Sequence, residues 1–286
     1  MSLIVFAGLC TIDHFYYFDG YPSENQKIRC TGYSLDAGGP CFNASITNSI
    51  LGGESEFFGH IGGGNESLTI VKEAEKYGIG LINLDNEKPP ATAAIGVNEK
   101  SGSRTVWSFQ PNSNSIFDKN DYTINPNAKC LVVDGHQINV AIHLAKQAKI
   151  KNIPVLLDAG SWKPNLESLI KLCTCVIGSS NFKGPNGEEP FSYLEKMGVI
   201  DIAVTRNEKP IQFLESGAIH EITVPAVNAV DTLGAGDVYH GAYAYYRYIK
   251  GYDFVSSLSL SAEVASNSVL FKGARVGVSK IAETMR

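Results

Sequence analysis

No stretch of the 286-residue chain reaches the roughly 18 consecutive apolar residues of a membrane span, so a membrane partner is not expected. Basic charge is not in excess either: Lys plus Arg is 24 against 29 Asp plus Glu, a net charge of -5. Broad nucleic-acid binding needs a basic surface to displace counterions, and it is not expected here, although a local basic pocket stays open. No C-x-x-C pair occurs among the six cysteines, Cys10, Cys30, Cys41, Cys130, Cys173 and Cys175. Met1 to Gly8 carries no basic leader and reads directly as a strand. Reduced thiols and a cytoplasmic location are the expectation. Asn43-Ala44-Ser45 and Asn65-Glu66-Ser67 match the glycosylation pattern, but that reading falls with the secretory one. Internal repeats, low-complexity tracts and a collagen-like glycine period are all missing.

What is present is a globular composition, 44% apolar and 19% charged, enough for one large core. Leu3 to Ala7 is a short apolar run ending at Gly8, as a buried strand would. Tyr16 to Phe18 and Lys27 to Tyr33 read as a half-exposed hairpin-like excursion. Phe42 to Leu51 has helical length and stops at Gly52-Gly53. Glu56 to Ile61 reads as a strand and Ser67 to Tyr77 as an amphipathic helix. Thr92 to Val97 and Arg104 to Phe109 form a second exposed hairpin around Asn98 to Gly102. From Cys130 the rhythm is strand, helix, strand, with strands at Cys130 to Val133, Val155 to Asp158, Thr174 to Ile177 and Ile200 to Thr205. Between the first pairs lie helices at Val140 to Lys149 and Leu166 to Leu172. Such alternation implies a parallel sheet covered on both faces. An antiparallel pair, Ile211 to Leu214 and Ile219 to Val224, and two helices, Val238 to Ile249 and Phe254 to Leu270, close the chain. The fold class is α/β with a small β appendage built from two insertions. Ligands of open α/β sheets sit beyond the strands' carboxyl ends, which gives weight to Asp13, Asp134, His136, Asp158 and Thr205. A single such residue is commonly an ordinary cap.

The most informative segment is Asp231-Thr232-Leu233-Gly234-Ala235-Gly236-Asp237, followed by a helix-like run. The small residues let the N–H groups of Gly234, Ala235 and Gly236 converge at a helix N-terminus, which binds phosphate. Asp237 is an odd neighbour for a phosphate unless its carboxylate takes a proton from an attacking hydroxyl, a role worth roughly 10²–10⁴-fold in rate. The donors would stabilise charge on the transferred group. Taken as an isolated fragment, Gly-x-Gly-Asp is better explained as a helix start with an acid against the dipole.

The whole heptad, continued by Val238-Tyr239-His240-Gly241-Ala242, resembles the C-terminal signature of the PfkB (ribokinase-like) family of sugar kinases. Ala37-Gly38-Gly39-Pro40-Cys41-Phe42-Asn43-Ala44-Ser45 resembles that family's N-terminal Gly-Gly signature, where the residues alone would suggest a loop before a helix. The likeness extends to Gly8 with Asp13 after it, the two hairpins and Gly273-Ala274, and so spans nearly the whole chain. It is closest to the ketohexokinase-like and sulfofructose-kinase-like branches. The resemblance implies a ribokinase-like three-layer α/β/α fold over residues 1–286, a mainly parallel central sheet, and a small β lid inserted at about 16–35 and 92–110. It makes Asp237 the general base and Gly234, Ala235 and Gly236 the anion hole. Asp13, Gly38, Gly39, Asn43 and His136 would contact the sugar, and Thr205, Gly234 and Gly236 the nucleotide. ATP arrives with Mg²⁺, and a monovalent cation such as K⁺ sits on backbone carbonyls around Asp231. With no cluster of metal-ligating side chains in view, phosphates and water would hold the Mg²⁺. No G-x-x-x-x-G-K-[ST] segment competes with this reading.

The chain departs from the family at four places. Gly62-Gly63-Gly64-Asn65 stands where many members have Gly-Asp-Asp. Ser179 to Gly184 keeps Asn181 but lacks the glutamate of an Asn-x-x-Glu motif. Thr205-Arg206-Asn207 lacks the glycine of Thr-x-Gly. His136 replaces the arginine of the two closest branches, and without a bidentate fork it favours an uncharged sugar over a sulfonated or phosphorylated one. His240 is expected on the helix surface without a role. The leading expectation is a kinase for a primary hydroxyl of a fructose-like ketose, then a ribose-like sugar or a nucleoside. The second class is a non-catalytic sugar or nucleotide sensor on the same fold. The exposed edges and aromatics of the two hairpins suggest that lids pair in a homodimer.

Overall fold

The structure, a computed structural model, describes residues 2–111 and 122–284. The chain opens with β1 (Leu3–Ala7), forms an antiparallel pair from β2 (Thr11–Phe18) and β3 (Gly32–Gly38), and enters α1 (Pro40–Leu51). β4 (Glu54–Gly59), α2 (Leu68–Lys76) and β5 (Ile79–Asn83) follow, then a second antiparallel pair, β6 (Ala91–Asn98) and β7 (Arg104–Phe109). Next come β8 (Cys130–Val133), α3 (Ile138–Ile150), β9 (Val155–Ala159), α4 (Leu166–Ile170), β10 (Cys175–Ser179), α5 (Pro190–Lys196) and β11 (Asp201–Arg206). β12 (Lys209–Glu215), β13 (Ala218–Ile222), α6 (Ala235–Ala244), α7 (Phe254–Ser268) and α8 (Ala274–Thr284) complete the chain.

Nine strands form one sheet in the order β13-β12-β11-β10-β9-β8-β1-β4-β5, with every pairing parallel except the antiparallel ones of β12 with β11 and with β13. Its central strands β1, β8, β9 and β10 are almost wholly buried because both faces are covered there. Along β1, Ile4 and Phe6 join a core with Phe42 of α1, Ile70 of α2, Tyr243 of α6 and Leu258 of α7. Val5 and Ala7 point the other way, into a core with Leu144 of α3, Leu169 of α4 and Leu194 of α5. The result is the expected three-layer α/β/α arrangement. Strand order reverses between β1 and β8, and ligands of such sheets bind at that switch point.

The four remaining strands form a separate sheet, β3-β2-β6-β7, the expected lid. β2 pairs antiparallel with β3 and parallel with β6, so two hairpins are zipped into one sheet. Its extent differs from the expectation. β2 starts at Thr11 and β3 runs Gly32–Gly38, not Lys27 to Tyr33, because Thr11 pairs with Gly38 and Asp13 with Asp36. Ala37 and Gly38 are therefore strand residues. The first of the two expected closing helices starts at Ala235, three residues before the expected Val238, and passes into a π-helical turn over Tyr245–Ile249. β5, α5 and α8 were not expected: each is short or interrupted by glycine, and Gly277 inside α8 lets that helix lie against Ser268 of α7.

Candidate active site

Asp134 joins the two sides of the switch point. Buried just past β8, its carboxylate accepts from the backbone N–H of Leu9 at 2.8 Å, Cys41 at 3.3 Å and His136 at 2.9 Å. These donors satisfy acceptors that would otherwise be costly to bury. Between β3 and α1 the chain turns sharply at Gly39, whose φ is +99°, and a Cβ there would stand 2.4 Å from the Leu9 carbonyl oxygen. Only glycine fits. The Asp13 carboxylate occupies the space over Gly38 and takes a 2.6 Å hydrogen bond from the Thr11 hydroxyl. Burial pushes the Asp13 pKa up, against the Thr11 hydrogen bond and the charge of Arg275.

Gly234, in the left-handed region at φ 78°, is the N-cap of α6, and Asp237 lies in the first turn. One turn on, Gly241 lets α1 approach closely, since a Cβ there would meet the Ala44 carbonyl oxygen at 2.3 Å. That contact brings Asn43 of α1 against Asp237, where Asn43 Nδ2 donates to Asp237 Oδ2 at 2.8 Å. Burial pushes the Asp237 pKa up to about 7, opposed by the Asn43 hydrogen bond and His240 and reinforced by the charges of Asp158 and Asp134.

A cavity of about 670 Å³ separates this surface from the inner face of the lid. Asp13, Gly39, Asn43, His136, Asp231, Gly234 and Asp237 all line it. Gly38 lies behind Asp13, and Ala235 and Gly236 form the start of α6. Ala235 N–H donates to the Thr232 carbonyl at 3.3 Å, so that member of the expected donor trio is already engaged. Thr205 stands apart at the end of β11, its hydroxyl on the Gly178 carbonyl at 3.3 Å. Asp231 takes part through its side chain: the carboxylate accepts from Leu233 N–H and Gly273 N–H at 3.0 Å each and from Arg104 Nη1 of β7 at 2.8 Å. Arg104 also donates to the Thr232 hydroxyl.

His240 is not on a surface. It is buried, with Nδ1 2.8 Å from the Gly236 carbonyl oxygen and 3.5 Å from Asp158 Oδ2, and Nε2 3.3 Å from the Ile177 carbonyl oxygen. The expectation failed because α6 is enclosed between α1, α7 and the sheet and has no open flank at this turn. Helical spacing held the clue, since positions 236 and 240 stack one turn apart. Burial also raises the pKa of Asp158, with His240 opposing it. Sequence reasoning gave no role to Arg104, Arg275 or Lys272, whose ammonium lies 4.4 Å from the centre of the Tyr17 ring of the lid.

Two of the departures have a local explanation. A Cβ at Gly63 would stand 2.1 Å from the Asn86 carbonyl oxygen, so an aspartate has no room there. Asn207 adopts φ 56°, the left-handed conformation a glycine would supply, which asparagine tolerates better than most residues. The arrangement as a whole sets a carboxylate titrating near neutrality beside a helix N-terminus, in a cleft with further hydrogen-bonding groups. It is suited to taking a proton from an alcohol while backbone donors face an anion.

Residues 1–281 match the sequence profile of the pfkB family carbohydrate kinases. Mouse ketohexokinase is 23% identical over 293 residues, covering 94% of this chain and 97% of that protein. A ribokinase of Dictyostelium discoideum is also 23% identical, covering 97% of each, and a deoxyribokinase of Salmonella typhi is 24% identical, covering 94% and 93%. The solved ribokinase of Thermotoga maritima superposes with a TM-score of 0.81 at 20% identity over 99% of both chains. The Arabidopsis thaliana ribokinase, solved with ribose and ATP, gives 0.75 at 22% identity over 98% of both chains. The solved structures establish the ribokinase fold and the profile establishes membership: this chain belongs to the pfkB family of carbohydrate kinases, phosphotransferases acting on sugars or nucleosides.

Proposed function

We propose that this protein is an ATP-dependent kinase for a hydroxyl of a small neutral sugar, a fructose-like ketose first and a ribose-like sugar second. The observation that carries the reading is the placement of Asp237 at the edge of a cavity it shares with Asp13 and Asn43, where burial pushes its pKa up to about 7. In this reading Asp237 takes the proton of the acceptor hydroxyl as its oxygen bonds to the γ-phosphorus and the bond to the ADP oxygen breaks. The start of α6, with Gly234, Ala235 and Gly236, faces the transferred phosphoryl group. Asp13, Gly38, Gly39, Asn43 and His136 surround the sugar, since acids, amides and open backbone read a polyol by hydrogen bonds. His136 lacks the fork that grips a sulfonate or phosphate, which favours a neutral acceptor. Thr205 and the α6 start serve the nucleotide.

Among the described residues no group of three or more His, Cys, Asp or Glu side chains is placed to hold a metal ion. Mg²⁺ would therefore be held by triphosphate oxygens and water, and it would neutralise charge on the phosphates. The Asp231 loop and the 269–273 turn converge through Asp231 N–H on the Val269 carbonyl and Gly273 N–H on Asp231, which supports a monovalent cation such as K⁺ on carbonyls there. A homodimer through the lid is part of the same proposal. The outer face of the lid carries Tyr33 at 56% exposure, Trp107 at 58% and Phe109 at 63%, a patch a second lid would cover.

The test is ADP release with ATP, Mg²⁺ and a panel of D-fructose, D-ribose, 2-deoxy-D-ribose and adenosine. Turnover of one sugar that falls by about 10²-fold or more in Asp237→Asn supports the kinase reading. Stabilisation by a sugar with no turnover across the panel favours a sensor instead.

A further inference from the structure

We propose that Arg275 is a positioning residue for Asp237: it holds the amide of Asn43 in the one orientation that donates to the Asp237 carboxylate. The inference rests on the reading of Asp237 as the proton acceptor and names what prepares it.

Arg275 stands in the first turn of α8, remote in sequence from the other members of the group. Its guanidinium spans three elements. Nη1 pairs with Glu73 Oε2 of α2 at 2.6 Å, and Nη2 donates to Asn43 Oδ1 of α1 at 2.9 Å and to the Ala37 carbonyl of β3. A guanidinium only donates, so whichever end of the Asn43 amide meets it must be the oxygen. The opposite end, Nδ2, then has to face Asp237, where it donates at 2.8 Å. A flipped amide would set its oxygen against the carboxylate and its NH₂ against the guanidinium, and both contacts would repel. Four side chains thus form one directed chain, Glu73 to Arg275 to Asn43 to Asp237, in which each link fixes the orientation of the next.

The consequence for Asp237 is chemical. A hydrogen bond to the ionised form favours ionisation, and burial disfavours it. The charged or titratable groups that act on Asp237 are Asp158 near the end of β9, Asp134 beyond β8 and His240 on α6, while Arg275 faces Glu73 of α2 and Asp13 of β2. Arg275 reaches Asp237 through Asn43. Without it the amide loses its constraint, and the carboxylate loses its donor for part of the time.

Carbon-13 labelling of aspartate carboxyls allows Asp237 to be titrated by NMR in the ligand-free protein, with its signal identified by its loss in Asp237→Asn. Arg275→Met is expected to raise the Asp237 midpoint by about one pH unit, and Arg275→Lys, with charge but no fork, by less. In an Asn43→Ala background, Arg275→Met is expected to add no further shift, because the intermediary is gone. An unchanged midpoint in folded Arg275→Met overturns the proposal, and so does a further shift in the Asn43→Ala background. If Arg275→Met does not fold, Arg275→Lys and Glu73→Gln supply the same readout, and unchanged midpoints in both overturn it. Undiminished sugar phosphorylation in Asp237→Asn would instead remove the reading of Asp237 as base, an outcome separate from the titration.

Discussion

Arg104 Nη1 lies 2.8 Å from Asp231 Oδ1, so the lid is tied by an ion pair to the loop that leads into α6. The same carboxylate accepts from Leu233 and Gly273, which makes closure of the lid and order in that loop parts of one network. Lys272 over the Tyr17 ring forms a second tie between the lid and the same corner.

Cutting the first tie is expected to loosen the lid more than the core. Arg104→Met should cost about 1 kcal/mol of stability, the usual range for a partly exposed charged pair. Amides of β6 and β7 should exchange faster by hydrogen exchange while those of β1 and β8 keep their protection, and KM for the acceptor sugar should rise more than kcat falls.

The raised pKa of Asp237 predicts opposite effects of pH on activity and stability. In the native protein this aspartate holds its proton up to about pH 7, and unfolded it ionises near pH ~3.9. Unfolding releases a proton between those values, so stability falls as pH rises through the window and stays lowered above it. Asp237→Asn should therefore be more stable than the wild type at pH 8, by roughly 1–3 kcal/mol in urea unfolding, and no more stable at pH ~3.5. The kcat/KM profile should rise with pH through an acid limb near 7, where the carboxylate form appears.

His240 and Asp158 should prove energetically coupled. His240→Leu removes the ring's contacts with the Gly236 and Ile177 carbonyls and leaves Asp158 buried without its neighbour, at a cost of about 2–4 kcal/mol. Combining it with Asp158→Asn should recover about 1–2 kcal/mol relative to the sum of the single changes, a non-additivity read from a double-mutant cycle in denaturant.

The departures from the family pattern should be structural adaptations. Gly63→Asp, which restores a family carboxylate, forces a Cβ into the Asn86 carbonyl and should destabilise by about 2 kcal/mol or more without a gain in rate. Asn207→Gly replaces one left-handed residue by another and should change stability by less than about 1 kcal/mol. Thermal melts of the two variants side by side check both.

The proposed pairing of lids predicts that Trp107→Glu, on the outer face opposite Ala94, lowers the mass seen by light scattering to that of one chain. A wild-type protein already monomeric at micromolar concentration would remove that part of the proposal.

Much of this was legible in the sequence. The apolar runs at Leu3–Ala7 and Cys130–Val133 and the presence of two hairpins are local patterns, legible because local sterics and periodicity create them. Boundaries were less legible where pairing set them. β3 extends to Gly38 because its partner Thr11 requires it, a relation no window of neighbouring residues contains.

The sequence by itself determined the α/β class, the alternation of the main strands and helices, and the lid as two hairpins, and it singled out Asp13, Asn43 and Asp237 as candidates. Only the tertiary structure decided that His240 is buried under the Gly236 carbonyl, that Arg104 crosses from the lid to Asp231, and that Arg275 reaches back across the chain to Asn43. The division follows from range. Propensity, periodicity and glycine chemistry act over a few residues, whereas the burial of an ionisable group and the partner that compensates it depend on which distant elements pack together.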